Sequence, residues 1–573
     1  MDKLYPVYTL NNECHDCYKC VRECHVKAIS IQNGHASVIP DKCIACGTCV
    51  QACPNNAKRV RNDVEKVKNL FRAQQEVYVS LAPSWLGVFD YSPSAMIALL
   101  KKLGFKHVSE TALGAQEVSI ECAKIMKNHD SGLFISSACP VVVDYIRLYN
   151  TKFLPNIVPI ASPALTHAKM LKEIYGNHIR VVFIGPCIAK KNESDANPEL
   201  IDAALTFEEL KLWIQEEYIS VDDLESLHNE SFVPETAYEG SLYPIEGGMN
   251  ETIKRGHMAD DVTLLNISSI ENLEKALKGL DVSTLNKKIF IEALACNGGC
   301  LAGPCSSTKK SELVRISDVL SKVKNRECIP QNPKTVVEKE YVKKPVEKPA
   351  YNFETITEAL KKIGKYTEED ELNCGGCGYN TCRELACALL SGEAEPSMCV
   401  SYMRKIAMQK AAAMLRCMPS AIVMVDKDLK IVESNEAFMK MFCSDMYDIF
   451  SDRPEGLNGA CIDRIVDFSD IFKETLKTSR DIHKEHYPVK NRLYDISAFS
   501  IEKNELAGAI ITDVTQSELG REKIAQKAHE VINKNIAIVQ EIACLLGEHM
   551  VETELLLSTI AQDYDTSETG DGK

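Results

Sequence analysis

The pattern of cysteines constrains this chain more than any other feature. The 573 residues include 24 cysteines, and two runs near the N-terminus share the spacing C-x2-C-x2-C-x3-C. The runs are Cys14, Cys17, Cys20, Cys24 and Cys43, Cys46, Cys49, Cys53. Thiols with such tight, repeated spacing favour metal ligation over disulfide bonding in a reducing compartment. We therefore expect residues 1–62 to be a duplicated metal-binding domain.

This spacing is typical of bacterial ferredoxins, in which the fourth cysteine of each run ligates the other cluster. It predicts two 4Fe-4S clusters, one held by Cys14, Cys17, Cys20 and Cys53 and one by Cys43, Cys46, Cys49 and Cys24. A pair of zinc sites is the alternative. Zinc motifs usually join two short cysteine pairs across a longer loop, which does not match this pattern.

The bulk properties of the chain exclude several classes of partner. A net charge of −15 argues against binding to nucleic acid or to an anionic membrane. No apolar run approaches the roughly 18 residues that a membrane span needs, and the N-terminus lacks the apolar core of a secretory signal. We expect a cytoplasmic protein with neither a nucleic acid nor a membrane partner.

The length and the periodicity of the chain predict a multidomain α/β protein. Over residues 66–325, apolar runs that look like buried strands alternate with helical stretches and lead into glycine, proline or cysteine. Chemistry is therefore expected at strand ends. Composition predicts the remaining parts: a linker at 328–351, a small cysteine-rich unit at 352–410, an antiparallel sheet domain at 412–515, a helix at 516–560 and a disordered tail at 561–573.

Three further cysteine motifs lie far apart: SSACP at 136–140, GPCIAKK at 185–191 and ACNGGC at 295–300. In this order they resemble the signature motifs of FeFe-hydrogenases, and the resemblance covers residues 1 to about 320. It implies an H-cluster, which is a 4Fe-4S cluster joined to a diiron subsite with carbon monoxide and cyanide ligands. The implied ligands are Cys139, Cys187, Cys296 and Cys300, with Cys300 bridging to the diiron subsite.

The resemblance also implies residues that contact the diiron subsite. Lys190 would pair with the negative charge of a cyanide ligand, and Ala82, Pro83 and Ser84 resemble the segment that contacts the other cyanide. An isolated lysine is usually a solvated surface residue, but this one lies three residues after a ligand cysteine. The implied partners are hydrogen and protons as substrates, a ferredoxin-like electron carrier and the maturation proteins of hydrogenases.

Several positions depart from the hydrogen-producing members of that family. Ala138 replaces a cysteine that passes protons to the diiron cofactor, and a methyl group cannot relay a proton. Other replaced positions are Cys122, Ile125, His129 and Val158 on the proton path, and Ala164, Gly185 and Leu294 beside the diiron site. Glu193 matches a family glutamate and could serve a slower route. Intact ligands with an altered proton path predict a sensory hydrogenase, whereas the alternative is an enzyme with another path.

The C-terminal third resembles two smaller modules. Cys374, Cys377, Cys382 and Cys399 resemble the ligands of a small 4Fe-4S domain, with zinc as the alternative metal, and would extend the electron path past the H-cluster. Residues 418–442 resemble the start of a PAS domain, with a generic sheet domain as the alternative. The apolar face of the following helix predicts pairing with a second copy or with a signalling protein, unless the helix folds back on the sheet domain.

These features predict an FeFe-hydrogenase that senses hydrogen or redox state, turns over slowly and passes its signal through a PAS domain to a downstream protein. One alternative is a fully active ferredoxin-dependent hydrogenase that its PAS domain regulates. Another is a non-enzymatic, hydrogenase-like iron-sulfur assembly factor without a diiron unit. The presence of Lys190 and of the intact C-x3-C motif at Cys296 argues against this last alternative.

Overall fold

The computed structural model describes residues 4–219, 230–255, 261–326, 329–330, 332–335, 338–347, 349–444 and 456–565. The chain divides into two compact units, Met1–Met403 and Arg404–Lys573. Their secondary structure is mixed α and β, as the sequence predicts. Among the described helices, none is both long and apolar enough to cross a membrane.

The N-terminal cysteine-rich segment is built twice from the same short pieces. Its elements are the antiparallel strand pairs Val7–Thr9 with Lys58–Val60 and Ile29–Gln32 with His35–Val38, and the helices Lys19–Glu23 and Thr48–Ala52. The second helix follows Gly47, whose φ of 84° is costly for other residues. A Cβ at Gly47 would lie 2.6 Å from the Cβ of Pro304, so glycine allows this turn to approach the hydrogenase-like region closely.

Two parallel sheets form the central region. One has the strand order His107–Glu110, Val77–Leu81, Arg180–Gly185, Ala203–Thr206, and the other the order Val262–Ser268, Lys288–Leu294, Gly132–Ile135. The helices around them are Val64–Arg72, Pro93–Lys102, Ala112–Lys127, Pro140–Tyr149, Pro163–Tyr175, Ala189–Ala196, Phe207–Glu216, Gly248–Arg255, Ile270–Leu277 and Glu312–Lys322. Continuous apolar strands such as Val77–Leu81 are buried throughout, as is typical of parallel sheets covered on both faces.

The three hydrogenase-like motifs each follow directly after one of these strands. Gly132–Ile135 leads into the first motif, Arg180–Gly185 into the second and Lys288–Leu294 into the third. The strands therefore place the cysteines at the ends of the sheets. At these ends the backbone N–H and C=O groups no longer need hydrogen-bond partners on a neighbouring strand. The expectation that the chemistry lies at strand ends agrees with this arrangement.

The segment predicted to be a linker, 328–351, follows the surface of the central region where it is described. Lys344 donates its backbone N–H to the carbonyl of Arg147, and the hydroxyl of Tyr341 donates to the carbonyl of Ile160 at 2.8 Å. Prolines and charges prevent this segment from forming a core of its own. Its backbone polar groups nevertheless find partners on the neighbouring surface.

The small cysteine-rich unit contains the helices Phe353–Lys362 and Cys382–Leu390. It packs against the N-terminal segment, where Ile31 donates its N–H to the carbonyl of Glu393 at 2.9 Å. A Cβ at Gly378 would lie 3.1 Å from the backbone nitrogen of Arg22. Its docking surface therefore belongs to the ferredoxin-like segment, while the electron path past the H-cluster that the sequence predicts for this unit stays a prediction.

The second unit contains a five-stranded antiparallel sheet and a long helix. The strand order in the sheet is Ile431–Ser434, Ala421–Asp426, Leu506–Asp513, Arg492–Glu502, Ile482–Val489. The helices of this unit are Glu436–Phe442, Ser469–Thr478 and Thr515–Asp565, and helix Val400–Cys417 spans the boundary between units. Asn435 caps the first helix by accepting the N–H of Phe438, as the sequence predicts.

The C-terminal helix begins and ends close to the predicted limits of 516–560. It covers 51 residues, which corresponds to a length of about 76 Å. It continues to Asp565, so the start of the predicted disordered tail is helical, while residues 566–573 lie outside the described part of the chain. Its apolar residues are exposed, as at Val531, Ile538 and Leu545. Within its own unit the described helix leaves this stripe uncovered.

A buried charge network joins the N-terminal segment to the central region. Lys191 has no exposed surface, and its Nζ lies 2.9 Å from carboxylate oxygens of both Asp63 and Glu209. Arg61 pairs with Asp63 at 2.9 Å and with Asp195 at 2.7 Å. Burial alone would raise the pKa of Asp63, but the hydrogen bonds from Arg61 and the charge of Lys191 outweigh it and lower that pKa.

We expect Lys191→Met to lower the free energy of unfolding by about 3 kcal/mol, because two buried carboxylates lose the cation between them. Guanidinium unfolding of the full chain measures this change. Lys275→Met is the control, since Lys275 pairs with Glu271 on an exposed helix face and should cost at most about 0.5 kcal/mol. Equal costs for the two variants would show that the buried network does not stabilise the junction.

Candidate metal centre

Cysteines from all three hydrogenase-like motifs line one cavity. Cys139, Cys187, Cys296 and Cys300 share its wall, and the cavity has a volume of about 110 Å³. Burial raises the pKa of Cys187 to about 11, and the nearby Cys139 adds to the shift. Burial and then Cys139 and Cys187 raise the pKa of Cys300. Thiolates here need a cation to offset this cost, so the donor set fits an iron-sulfur cluster.

The segment Ala82, Pro83, Ser84 forms part of the same wall. It follows strand Val77–Leu81 and enters the short helix Pro83–Gly87. The Oγ of Ser84 is buried and has no hydrogen-bond partner among the described residues. An unpaired buried hydroxyl is costly unless a bound group accepts its hydrogen bond. The wall therefore fits a cofactor with an acceptor atom at this position.

Lys190 is nearly buried at the edge of the cavity. Its Nζ donates to the Oγ of Ser162 at 2.8 Å and to Oε2 of Glu193 at 2.5 Å, and Ser162 donates to the same carboxylate at 2.9 Å. Lys190 and Glu193 stand one turn apart on helix Ala189–Ala196. The ammonium is thus fixed at the wall by a hydroxyl and a carboxylate, and its third N–H bonds to none of the described residues and can meet an anion.

Ser162 belongs to this site although sequence reasoning missed it. Its Oγ caps helix Pro163–Tyr175 by accepting the N–H of Leu165. Serine before a proline at the first helical position is a recognisable cap signal. That signal predicts the cap but does not show that the hydroxyl also contacts Lys190.

Ala138 lines the cavity and packs against a hydrophobic cluster. Cys122 and Val158 belong to that cluster and are fully buried, and Ile125 packs against it. His129, in contrast, is exposed and hydrogen-bonds to the carbonyl of Ile125. The positions that the resemblance assigns to proton transfer are therefore occupied mainly by apolar packing. These five residues do not form a continuous chain of proton donors and acceptors.

The other departures from the hydrogenase pattern lie at or beside the cavity. Leu294 and Ala164 line it. A Cβ at Gly185 would lie 2.6 Å from the ring of Phe183, so this position has no room for a larger side chain.

Tyr243 is a further residue of the cavity wall that sequence reasoning did not identify. Its hydroxyl lies 2.7 Å from the Oγ of Ser119, and burial raises its pKa well above the usual value. No local motif marks this tyrosine, because it reaches the cavity only through the packing of helix Ala112–Lys127.

The eight N-terminal cysteines fall into two groups, named here the outer set and the inner set. The outer set is Cys14, Cys17, Cys20 and Cys53, and the inner set is Cys24, Cys43, Cys46 and Cys49. Burial raises the pKa of Cys20 to about 11, and its three partners of the outer set add to the shift. Burial likewise raises the pKa of Cys49, with contributions from the rest of the inner set. This grouping supports the crossed ligation that the spacing predicts.

A fourth group, named the C-terminal set, consists of Cys374, Cys377, Cys382 and Cys399. These four cysteines line a small pocket together. Cys377 has its pKa raised by burial and then, among other effects, by the nearby thiols of Cys399 and Cys374. All sixteen cysteines predicted as ligands thus lie in groups of four.

Comparisons with known families agree with this arrangement. The family "Iron only hydrogenase large subunit, C-terminal domain" matches residues 75–304. The family "4Fe-4S binding domain" matches residues 36–59, and "Putative Fe-S cluster" matches residues 370–401. The three matches correspond to the central cavity, the ferredoxin-like segment and the C-terminal set.

Relatives of this chain include two hydrogenases. Iron hydrogenase 1 of Clostridium pasteurianum is 24% identical over 49% of this chain and 67% of its own length. The periplasmic Fe hydrogenase large subunit of Nitratidesulfovibrio vulgaris is 27% identical over 42% of this chain and 68% of its own. The nuclear prelamin A recognition factor of Xenopus laevis is 24% identical over 48% of this chain and 75% of its own.

The fold, the cavity and these matches define an iron-sulfur protein with a mixed α/β architecture. More specifically, residues 75–304 form an iron-only hydrogenase-like domain, and a 4Fe-4S ferredoxin motif precedes it.

We expect Cys53→Ala to remove the cluster of the outer set and to leave that of the inner set intact. The reason is that crossed ligation takes Cys53 away from its neighbours in sequence. Electron paramagnetic resonance of the reduced protein distinguishes the two clusters. Cys24→Ala is the matched variant and should remove the inner cluster instead. The opposite outcome in both variants would show that each run of cysteines holds its own cluster.

Proposed function

We propose that the protein is an FeFe-hydrogenase of the sensory type, which meets hydrogen or electrons at an H-cluster and turns over slowly. The observation that carries the proposal is the apolar cluster around Ala138, placed directly beside a cavity whose four cysteines are all present. A productive enzyme needs rapid proton delivery at this point. A sensor needs only to bind its signal and to change redox state.

An H-cluster, when bound, supplies reversible interconversion of hydrogen with two protons and two electrons. Cys139, Cys187, Cys296 and Cys300 would hold it. Lys190 would offset the negative charge of a cyanide ligand, and Ser84 would donate the hydrogen bond that its buried hydroxyl lacks within the described protein. The apolar wall excludes water, and Ala138 neither accepts nor donates a proton.

Glu193 offers the slower proton route. It hydrogen-bonds to both Lys190 and Ser162 at the cavity wall. Burial raises the pKa of Asp144, and the charge of Glu193 raises it further, so the two carboxylates lie near each other. Asp144 is partly exposed and pairs with Arg147 at 3.1 Å. A proton moving between them would cross a gap that no hydrogen bond among the described residues bridges, which accords with slow transfer.

The second unit would carry the output. Its five-stranded antiparallel sheet, with Asn435 capping the first helix, supports the PAS resemblance of residues 418–442. The exposed apolar stripe of Thr515–Asp565 supports pairing with a second copy or a signalling protein. Signal transfer to that partner would complete the sensory role.

A second candidate function is that of a non-enzymatic, hydrogenase-like iron-sulfur assembly factor, and one relative, the nuclear prelamin A recognition factor, is not named as a hydrogenase. Such a protein would need the iron-sulfur ligands but no diiron subsite. The Ser84 hydroxyl at the cavity wall argues against it, because this buried group has no hydrogen-bond partner among the described residues and needs one from a ligand.

The matured protein should oxidise or evolve hydrogen about a hundredfold to ten-thousandfold more slowly than productive hydrogenases, because a positioned proton-transfer group is missing. Ala138→Cys alone should recover little of this loss, since Cys122, Val158 and Ile125 keep the surroundings apolar. Hydrogen turnover assays at matched H-cluster content measure both effects. Full activity in the unchanged protein would contradict the sensory proposal.

Deleting residues 516–573 should abolish self-association or partner binding, because the helix carries an uncovered apolar stripe. Hydrogen turnover and cluster content should remain unchanged, since no residue of the helix belongs to a cysteine set. Light scattering gives the mass, and pull-down with the full chain as reference tests partner binding. If the oligomeric state and the partner binding both equal those of the full chain, the helix folds back on its own unit instead.

A further inference from the structure

The inner set lies beside two other cysteine sets at the N-terminal side of the molecule. Cys46 lines the central cavity together with Cys296, and it contributes to the raised pKa of Cys296. On another side, the buried Lys58 influences both Cys49 of the inner set and Cys20 of the outer set. Lys58 is held between the sets by hydrogen bonds from its Nζ to Thr9 and Ala36.

The C-terminal set approaches the inner set from a third side. Lys27 stands at this contact, where its Nζ donates to the carbonyls of Val21 and Arg22, both at 3.3 Å. The same two residues meet Gly378, whose Cβ would lie 3.0 Å from a methyl of Val21. The ammonium of Lys27 is thus fixed within the surface on which the C-terminal set docks.

The charged groups near Lys27 include a thiol of the inner set and a thiol of the C-terminal set. Burial lowers the pKa of Lys27, while the thiols of Cys24 and Cys377 act in the raising direction. Tyr379 fills the same contact, and burial, followed by the charges of Glu393, Cys377 and Cys24, raises its pKa. One lysine and one tyrosine therefore lie between the inner and the C-terminal set.

Further contacts make this docking surface specific. Lys42 forms an ion pair with Glu393, and the backbone N–H of Ile31 donates to the carbonyl of the same residue. The N–H of Gly34 donates to the carboxylate of Glu395 at 3.4 Å. Charge-assisted and backbone hydrogen bonds together fix the orientation of the two modules.

We propose that the inner set is a three-way junction, from which one branch leads to the central cavity, one to the outer set and one to the C-terminal set. The proposal rests on the proposed function, since it assumes that all four sets hold redox-active clusters. Oxidation of one hydrogen molecule yields two protons and two electrons. One electron reduces the C-terminal cluster. The other electron passes through the outer set to an oxidised ferredoxin-type carrier.

The branched path between the clusters determines which redox signal the C-terminal set follows. Cys17 of the outer set and Cys374 of the C-terminal set are both exposed. Electrons from hydrogen reach the C-terminal set through the inner set, and electrons that a reduced carrier delivers at Cys17 follow the same route. The C-terminal cluster therefore follows the redox balance between hydrogen and the carrier pool. A linear path through the cavity would report hydrogen alone.

The test uses the full chain produced without maturation proteins, so that it holds 4Fe-4S clusters but no diiron subsite. Lys27→Gln removes the positive charge between two sets and should lower the reduction potentials of the inner and C-terminal clusters, while the outer cluster shifts less. Redox titration followed by electron paramagnetic resonance measures all three. Lys124→Gln, on an exposed helix face, is the control and should shift none of them.

A second measurement uses magnetic coupling. When all clusters are reduced, the inner signal should be split by the C-terminal cluster, and Cys382→Ala should remove that splitting while its coupling to the outer cluster remains. The proposal is overturned if the splitting persists, if Lys27→Gln moves neither or only one of the two potentials, or if the C-terminal set holds zinc. None of these outcomes depends on hydrogen turnover, so the proposed function can fail separately.

Discussion

The rest of the structure depends on one constraint, which is that sixteen thiols must lie in four compact groups. In the central group burial disfavours a free thiolate, as the raised pKa of Cys187 shows, so its cysteines need a bound cation to act as ligands. The central group places the strictest requirement on the fold, because its cysteines come from three strand ends in two sheets. Those sheets must therefore meet at one cavity.

The buried ion network around Lys191 serves the same requirement. It fixes the N-terminal segment against the helix that also carries Lys190 and Glu193. Gly47 brings the same segment within contact of Pro304, at the cavity wall. The inner cysteines and the cavity thus keep a constant separation, which electron transfer between them requires. Beside this frame, Ala138 lies in apolar surroundings, and all four cysteines of the cavity are present.

Sequence reasoning anticipates the parts of the site that local spacing defines. Cysteine spacing alone indicates the outer and inner sets, and the crossed grouping follows from it. The apolar strand runs also predict where the three hydrogenase-like motifs lie in the fold. Ser162 and Tyr243 could not be predicted as site residues, because only tertiary packing brings Ser162 to Lys190 and Tyr243 to the cavity wall. The docking of Gly378 on Arg22 was not predicted for the same reason, since long-range contacts leave no periodic signal.

Infrared spectroscopy of the matured full chain tests the central claim most directly. The account predicts bands from carbon monoxide and cyanide, because the cavity retains four cysteines, Lys190 and an unpaired Ser84 hydroxyl. Cys300→Ala should abolish these bands while the clusters of the other sets survive. If the matured protein fills its 4Fe-4S sites but shows no such bands, it carries no diiron subsite, and the sensory hydrogenase account is contradicted.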